Sequence, residues 1–122
     1  MTEGVFKQEL KNRAYKFSVN IILFIEEVTQ TRKIYYSLVD QLLRSSTSIG
    51  ANIVEAKSAG SRKDYIHYFE IALKSANETK YWLCLFRDAM RCDKKKTDEL
   101  INEADEISKM LASSILTLKG KK

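Results

Sequence analysis

The residues that could do chemistry in this 122-residue chain are few, and their spacing does not bring them together. A hydrolase needs a nucleophile beside a base, or two carboxylates about a cleft. The one histidine, His67, has no evident partner and lies in a helical pattern, which suits a surface or packing residue better than a general base. Helical di-iron sites are built from two Glu-x-x-His motifs, and a single histidine cannot complete both. Cys84 and Cys92 lack the CxxC spacing of a zinc site. They also stand too far apart along a helix axis to form a disulfide without distortion, so they read as reduced thiols. No catalytic residue, metal or cofactor is expected.

A second group, Arg44, Asn52, Glu55, Ser75 and Glu78, has the composition of an active site but the spacing of a structural network. Asn52 and Glu55 are one turn apart, as are Ser75 and Glu78. Two such pairs on facing helices satisfy one another and fix the register of the helices.

These residues need helices to hold them, and the composition supplies little else. Proline is absent, the glycines are Gly4, Gly50, Gly60 and Gly120, and 44% of the residues are hydrophobic. That is enough for one domain with a respectable core and too little chain for a second. Apolar runs such as IILFI at 21–25 are far short of the roughly 18–20 residues that cross a bilayer. The N-terminal MTEGVFKQELKN lacks the pattern of a secretory signal, so a cytoplasmic protein without a membrane partner is expected.

Apolar spacing gives four helices, at about 5–29, 34–59, 62–91 and 98–118. Phe6, Leu10, Ala14, Phe17, Ile21, Phe24 and Val28 form one stripe on the first. The second buries Tyr35, Leu38, Leu42, Ile49, Ile53 and Ala56, with Ser45 and Asn52 on the same side. Gly60 ends it, and Ser61 with Asp64 opens the third as a capping box. The third carries Tyr65, Phe69, Ala72, Ala76, Thr79, Leu83, Phe86 and Met90 in strict alternation of four and three. A second stripe beside it (Tyr68, Ile71, Ser75, Glu78, Trp82, Leu85, Ala89) widens the apolar arc beyond what one bundle core requires. The fourth uses Leu100, Ala104, Ile107, Leu111, Ser114 and Leu118, with Thr97 as its cap. Short links between long helices make an all-α, antiparallel up-down-up-down four-helix bundle.

Arg44, SIGANIVEA at 48–56 and KDYIHYFEIALKSANET at 63–79, with Tyr81, Trp82 and Leu83, resemble the four-helix bundle proteins first found encoded in intervening sequences of bacterial 23S rRNA genes. The likeness spans nearly the whole chain. One departure is Ala56, where many members have glycine, which extends the second helix slightly. The resemblance implies a homo-oligomer, a homopentameric ring of bundles. Relatives of the fold include the retroelement accessory variability protein, which assists a reverse transcriptase and binds nucleic acid. Tyr68, Trp82 and Leu85 on the wide arc suit a subunit interface, since aromatic residues with polar tips are favoured there. The alternative is that they finish a broad monomeric core.

Charge placement carries the functional expectation. In such a bundle the first and third turns share one end, which gathers Arg32, Lys33, Arg87, Arg91, Lys94, Lys95 and Lys96 against Asp88 and Asp93. That excess equals the +5 of the entire chain. The other end has Lys57, Arg62, Lys63, Lys121 and Lys122. Basic ends set side by side in an oligomer would bind RNA or DNA non-specifically, through phosphates, as no zinc finger or RNA-recognition motif accompanies them. The competing reading is an oligomeric scaffold that recruits a protein partner and binds no nucleic acid itself.

Overall fold

Hydroxyl and carboxylate caps set where three of the four helices of this chain begin. Thr2 Oγ1 accepts from the Val5 amide at 3.2 Å, Ser61 Oγ from Asp64 at 3.1 Å, and an Asp93 carboxylate oxygen from Lys96 at 2.9 Å. The computed structural model describes residues 2–120, and its helices are α1 (Glu3–Thr31), α2 (Tyr36–Ala56), α3 (Arg62–Asp88) and α4 (Lys94–Leu118). No strand occurs among the described residues. None of their helices is long and apolar enough to cross a membrane.

Cross-helix bonds fix the directions. Ser48 meets Ser75 while Ser45 meets Thr79, and Glu70, Lys80 and Arg87 meet Lys119, Asp105 and Asp98 in reverse order. Arg13 and Glu27 on α1 pair with Glu103 and Lys96 on α4. Each helix therefore runs antiparallel to its neighbours. α2 packs on α3, α3 on α4, and α1 closes the square by lying against α2 and α4, while the diagonal pairs reach each other only through side chains. The result is the up-down-up-down bundle that the apolar spacing implies.

The core follows the stripes closely on α1 and α3. Leu10, Ala14, Phe17, Ile21, Phe24 and Val28 are buried, as are Phe69, Ala72, Ala76, Thr79, Leu83 and Phe86. Phe24 and Phe86 meet across the centre with ring centroids 5.9 Å apart. Phe17, Phe69 and Phe86 are among the largest fully buried side chains, and each contributes roughly 2–3 kcal/mol of burial free energy.

The helix limits differ from expectation for local reasons. α1 is longer at both ends, because Thr2 caps it and the hydroxyls of Thr29 and Thr31 bond back to carbonyls in its last turn. α2 starts later: Ile34 is buried in the link, and Tyr35, expected on the buried side, is 70% exposed at the N-cap. α2 also stops at Ala56 rather than running on to 59. The amides of Lys57, Ser58 and Ala59 each bond three residues back, a tightening that closes the helix. α3 ends at Asp88 instead of 91 because Arg91 adopts φ 56°, which turns the chain so that the Cys92 amide bonds the Phe86 carbonyl. α4 begins at Lys94, capped by Asp93, and Thr97 is a buried first-turn residue whose hydroxyl donates to the Asp93 carbonyl at 2.6 Å.

The polar residues inside the bundle are mostly hydroxyls. Ser45 and Thr79 are buried with their hydroxyl oxygens 2.9 Å apart, and Thr79 also reaches the Ser75 carbonyl at 2.7 Å. Ser75 donates to Ser48 at 3.0 Å, and Asn52 donates to the Ser48 carbonyl and hydroxyl at 2.8 and 3.0 Å. Asn52 and Ser75 thus belong to one network, with Ser48 as the bridge. The charged residues expected beside them do not join it. Arg44 is exposed and bonds Gln41 one turn back, Glu55 is exposed beside α1, and Glu78 accepts from the Trp82 indole at 3.0 Å. A carboxylate at the α2/α3 seam would lose more hydration than a hydroxyl regains.

The seam should behave as a coupled pair. Ser45→Ala and Thr79→Val are each expected to cost about 1 kcal/mol in urea unfolding, and the double variant less than both added. Strict additivity would mean that the two hydroxyls do not interact.

Candidate nucleic-acid interface

The basic end is built from two links brought together by one side chain. Arg32 follows α1, and its Nη1 donates to the Met90 and Arg91 carbonyls at 2.8 and 2.5 Å. It ties the α1–α2 link to the α3–α4 link. Beneath it Ile34 and Cys92 are buried, one from each link. Burial pushes the Cys92 thiol up, and nearby Arg32 only partly offsets this, so the thiol is held protonated. Cys84 is half-buried on α3, and both cysteines are free.

The seven expected cations are not equivalent. Arg87 spans Asp88 and Asp98, its Nε 2.7 Å from the former and its Nη1 2.9 Å from the latter. Lys94 reaches Asp98 at 2.7 Å, and Lys96 reaches Glu27 on α1 at 2.8 Å. These cations fasten α3, α4 and α1 together. Lys33, Arg91 and Lys95 are exposed and have no carboxylate partner among the described residues. They are the ones free to meet a phosphate.

The charge excess at this end is smaller than the turns alone suggest. The fold brings Glu27, Asp98 and Glu99 beside the lysines in addition to Asp88 and Asp93. Seven cations therefore share the end with five carboxylates. The missed signal was the start of α4. Three lysines in a first turn oppose the helix dipole, which argues for a loop there. Yet Asp93 caps the turn, and Asp98 stands four residues from Lys94 as an ion-pair partner.

At the other end, Lys57 lies beside Lys11, whose ammonium pulls the Lys57 pKa down. Arg62 reaches the Leu118 carbonyl at 3.4 Å, Lys63 is exposed, and Lys119 pairs with Glu70. Lys121 and Lys122 lie outside the described residues. On the outer flank of α3, Tyr68, Trp82 and Leu85 are half-buried, and Tyr68 and Trp82 rest against the edge of the core. No group of three or more histidine, cysteine or acidic side chains suited to a metal ion occurs among the described residues.

The model of the family described as 23S rRNA-intervening sequence protein matches residues 7–113. The chain belongs to this family. A solved member of similar shape is a protein with unknown function from the S23 ribosomal protein family of Bacteroides thetaiotaomicron VPI-5482. It is 40% identical, with a TM-score of 0.82 over 87% of this chain and 97% of that one. A comparison with curated proteins gives no match. Within the family fold, the residues quoted for the resemblance fall mainly on α2 and α3, where the hydroxyl network lies.

Two outcomes follow from this end of the bundle. Lys94 and Arg87 hold the Asp98 carboxyl below the usual carboxylate range, and Lys80 and Lys109 do the same for Asp105. A depressed carboxylate contributes stability that is whole above its ordinary pKa, near pH 4, and lost as the pH falls through the folded value. Melting temperature should therefore drop below about pH 4, and Asp98→Asn should flatten part of that drop; an unchanged acid limb would discount the pair. Arg91→Gly relieves a left-handed backbone and should leave stability equal or raised by roughly 0.5–1 kcal/mol. A loss of that size would show that the Arg91 side chain holds the turn.

Proposed function

We propose that this protein is a non-enzymatic homo-oligomer that binds RNA or DNA through its basic bundle ends, without reading sequence. The observation that carries the reading is the exposed set Lys33, Arg91 and Lys95, with Arg32 fixing the two links that bear the first two and Lys95 in the first turn of α4 beside them. Arg87, Lys94 and Lys96 stand behind them as ion-paired supports, so the binding set is smaller than the seven basic residues of this end. Three or so phosphate contacts per copy give weak affinity, and joining copies raises it because the second contact becomes intramolecular. The resemblance implies five copies in a ring. The protein acts in the cytoplasm, free of membrane, and needs no cofactor.

The scaffold reading keeps the oligomer and moves nucleic-acid contact to a protein partner. Salt dependence separates the two. A fluorescent single-stranded RNA should bind at low salt, with log K falling against log salt by about 0.7 per phosphate neutralised. Lys33→Glu with Arg91→Glu and Lys95→Glu should weaken it at least tenfold. No binding above background at low salt favours the scaffold, and binding that ignores the triple variant places the contact elsewhere.

A further inference from the structure

The run IILFI at 21–25 puts five apolar residues in succession on α1, more than one bundle core can take. Ile21 and Phe24 are buried, but Ile22 is 46% and Leu23 56% exposed. Tyr15, about two turns earlier, is 73% exposed, and Val19 lies between them. α2 continues the surface with Leu43 and Val54, also exposed. Between the helices runs a groove of about 660 Å³ lined by Tyr15, Ser18, Thr47, Gly50, Ala51 and Val54.

Gly50 lies in that groove where α2 passes Ala14 of α1. A Cβ there would sit 3.7 Å from the Ala14 Cβ, an ordinary contact, so the packing of α1 on α2 does not by itself require glycine, although a mid-helix glycine costs about 1 kcal/mol relative to alanine.

The area decides what size of partner fits. Tyr15, Val19, Ile22, Leu43 and Val54, at their observed exposure, present on the order of 400–500 Å² of apolar side chain, about the apolar share of the ~800 Å² each partner buries in a stable interface. A patch of this kind on a soluble surface marks a protein contact. The chain itself carries a matching surface. Trp82 stands two turns above Ser75, which bonds Ser48 of α2, so it lies over the α2/α3 side. Tyr81 stacks edge-on against it at 5.2 Å and is 60% exposed. Tyr68 lies lower on the same flank. The heights agree as well. Gly50 touches Ala14 and Ser48 bonds Ser75, so the α1/α2 face and the α3 flank span the same length of the bundle.

The geometry points to a second copy of this chain as the occupant, with its Tyr68–Trp82 flank seated on the α1/α2 face of the first. The two surfaces are different patches on neighbouring sides of the square bundle, so the contact is head-to-tail and turns as it repeats. This rests on the oligomer proposed above, and it assigns the surfaces that the oligomer uses.

Light scattering on the full chain tests both levels. Wild type should be a multiple of one copy. Ile22→Glu and Tyr81→Glu, both at exposed helical positions, should each fall to smaller species while keeping wild-type helicity by circular dichroism. Mixed in equal amounts, they should form pairs and go no further, because each retains one intact face. A single-copy wild type would overturn the oligomer itself. An oligomeric wild type with both variants unchanged would overturn only these surfaces. Variants that fail to pair when mixed would overturn the head-to-tail arrangement.

Discussion

The bundle is organised around the close approach of α2 and α3 through small hydroxyl side chains. Ser45, Ser48, Ser75 and Thr79 occupy positions where leucine or isoleucine would separate the helices, and each finds a bond either across the seam or to a carbonyl of its own helix. Buried polar groups are tolerated when satisfied in this way, and they define the register more sharply than apolar contacts, which slide. Once α2 and α3 are locked, α4 is aligned on α3 by the ion pairs from Lys80 and Arg87. α1 closes the remaining side through Phe17, Phe24 and the pairs Arg13–Glu103 and Glu27–Lys96.

This hierarchy divides the surface by task. The ion pairs sit on the α3/α4 and α1/α4 sides, where they hold the chain to itself. The α1/α2 side has apolar side chains left over. Three unpaired cations, Lys33, Arg91 and Lys95, gather at one end of the bundle. Charge near a turn is therefore a poor measure of binding capacity: Arg87, Lys94 and Lys96 are already taken up by carboxylates, the first and last of them by one from another helix. What remains free is set by tertiary neighbours, as Lys96 shows by turning to Glu27 on a helix far away in sequence.

The sequence made the bundle legible because α1 and α3 repeat their apolar residues without interruption and Ser61 marks the third helix plainly. It was less informative wherever one residue served two ends. Tyr35 continues the apolar period of α2 but sits before its first turn, where no helix neighbour covers it. The lysines of the α4 first turn look like a loop until Asp93 and Asp98 are seen to bracket them. Arg91 offers no sign that it takes a left-handed conformation, since glycine or asparagine is the usual marker. In the polar network, spacing pairs Glu55 with Asn52, but the helix rotation that buries Ser45 carries Glu55 outward.

Arg32 already gives both hydrogens of one terminal nitrogen to backbone carbonyls. A guanidinium has five such hydrogens in a rigid plane, so three remain, on Nε and the other terminal nitrogen. The strut between the two links can thus grip an oxyanion without letting go. An ammonium holding the same two carbonyls would keep a single hydrogen, on the same atom, and could not offer an oxyanion the paired, planar donors of the guanidinium.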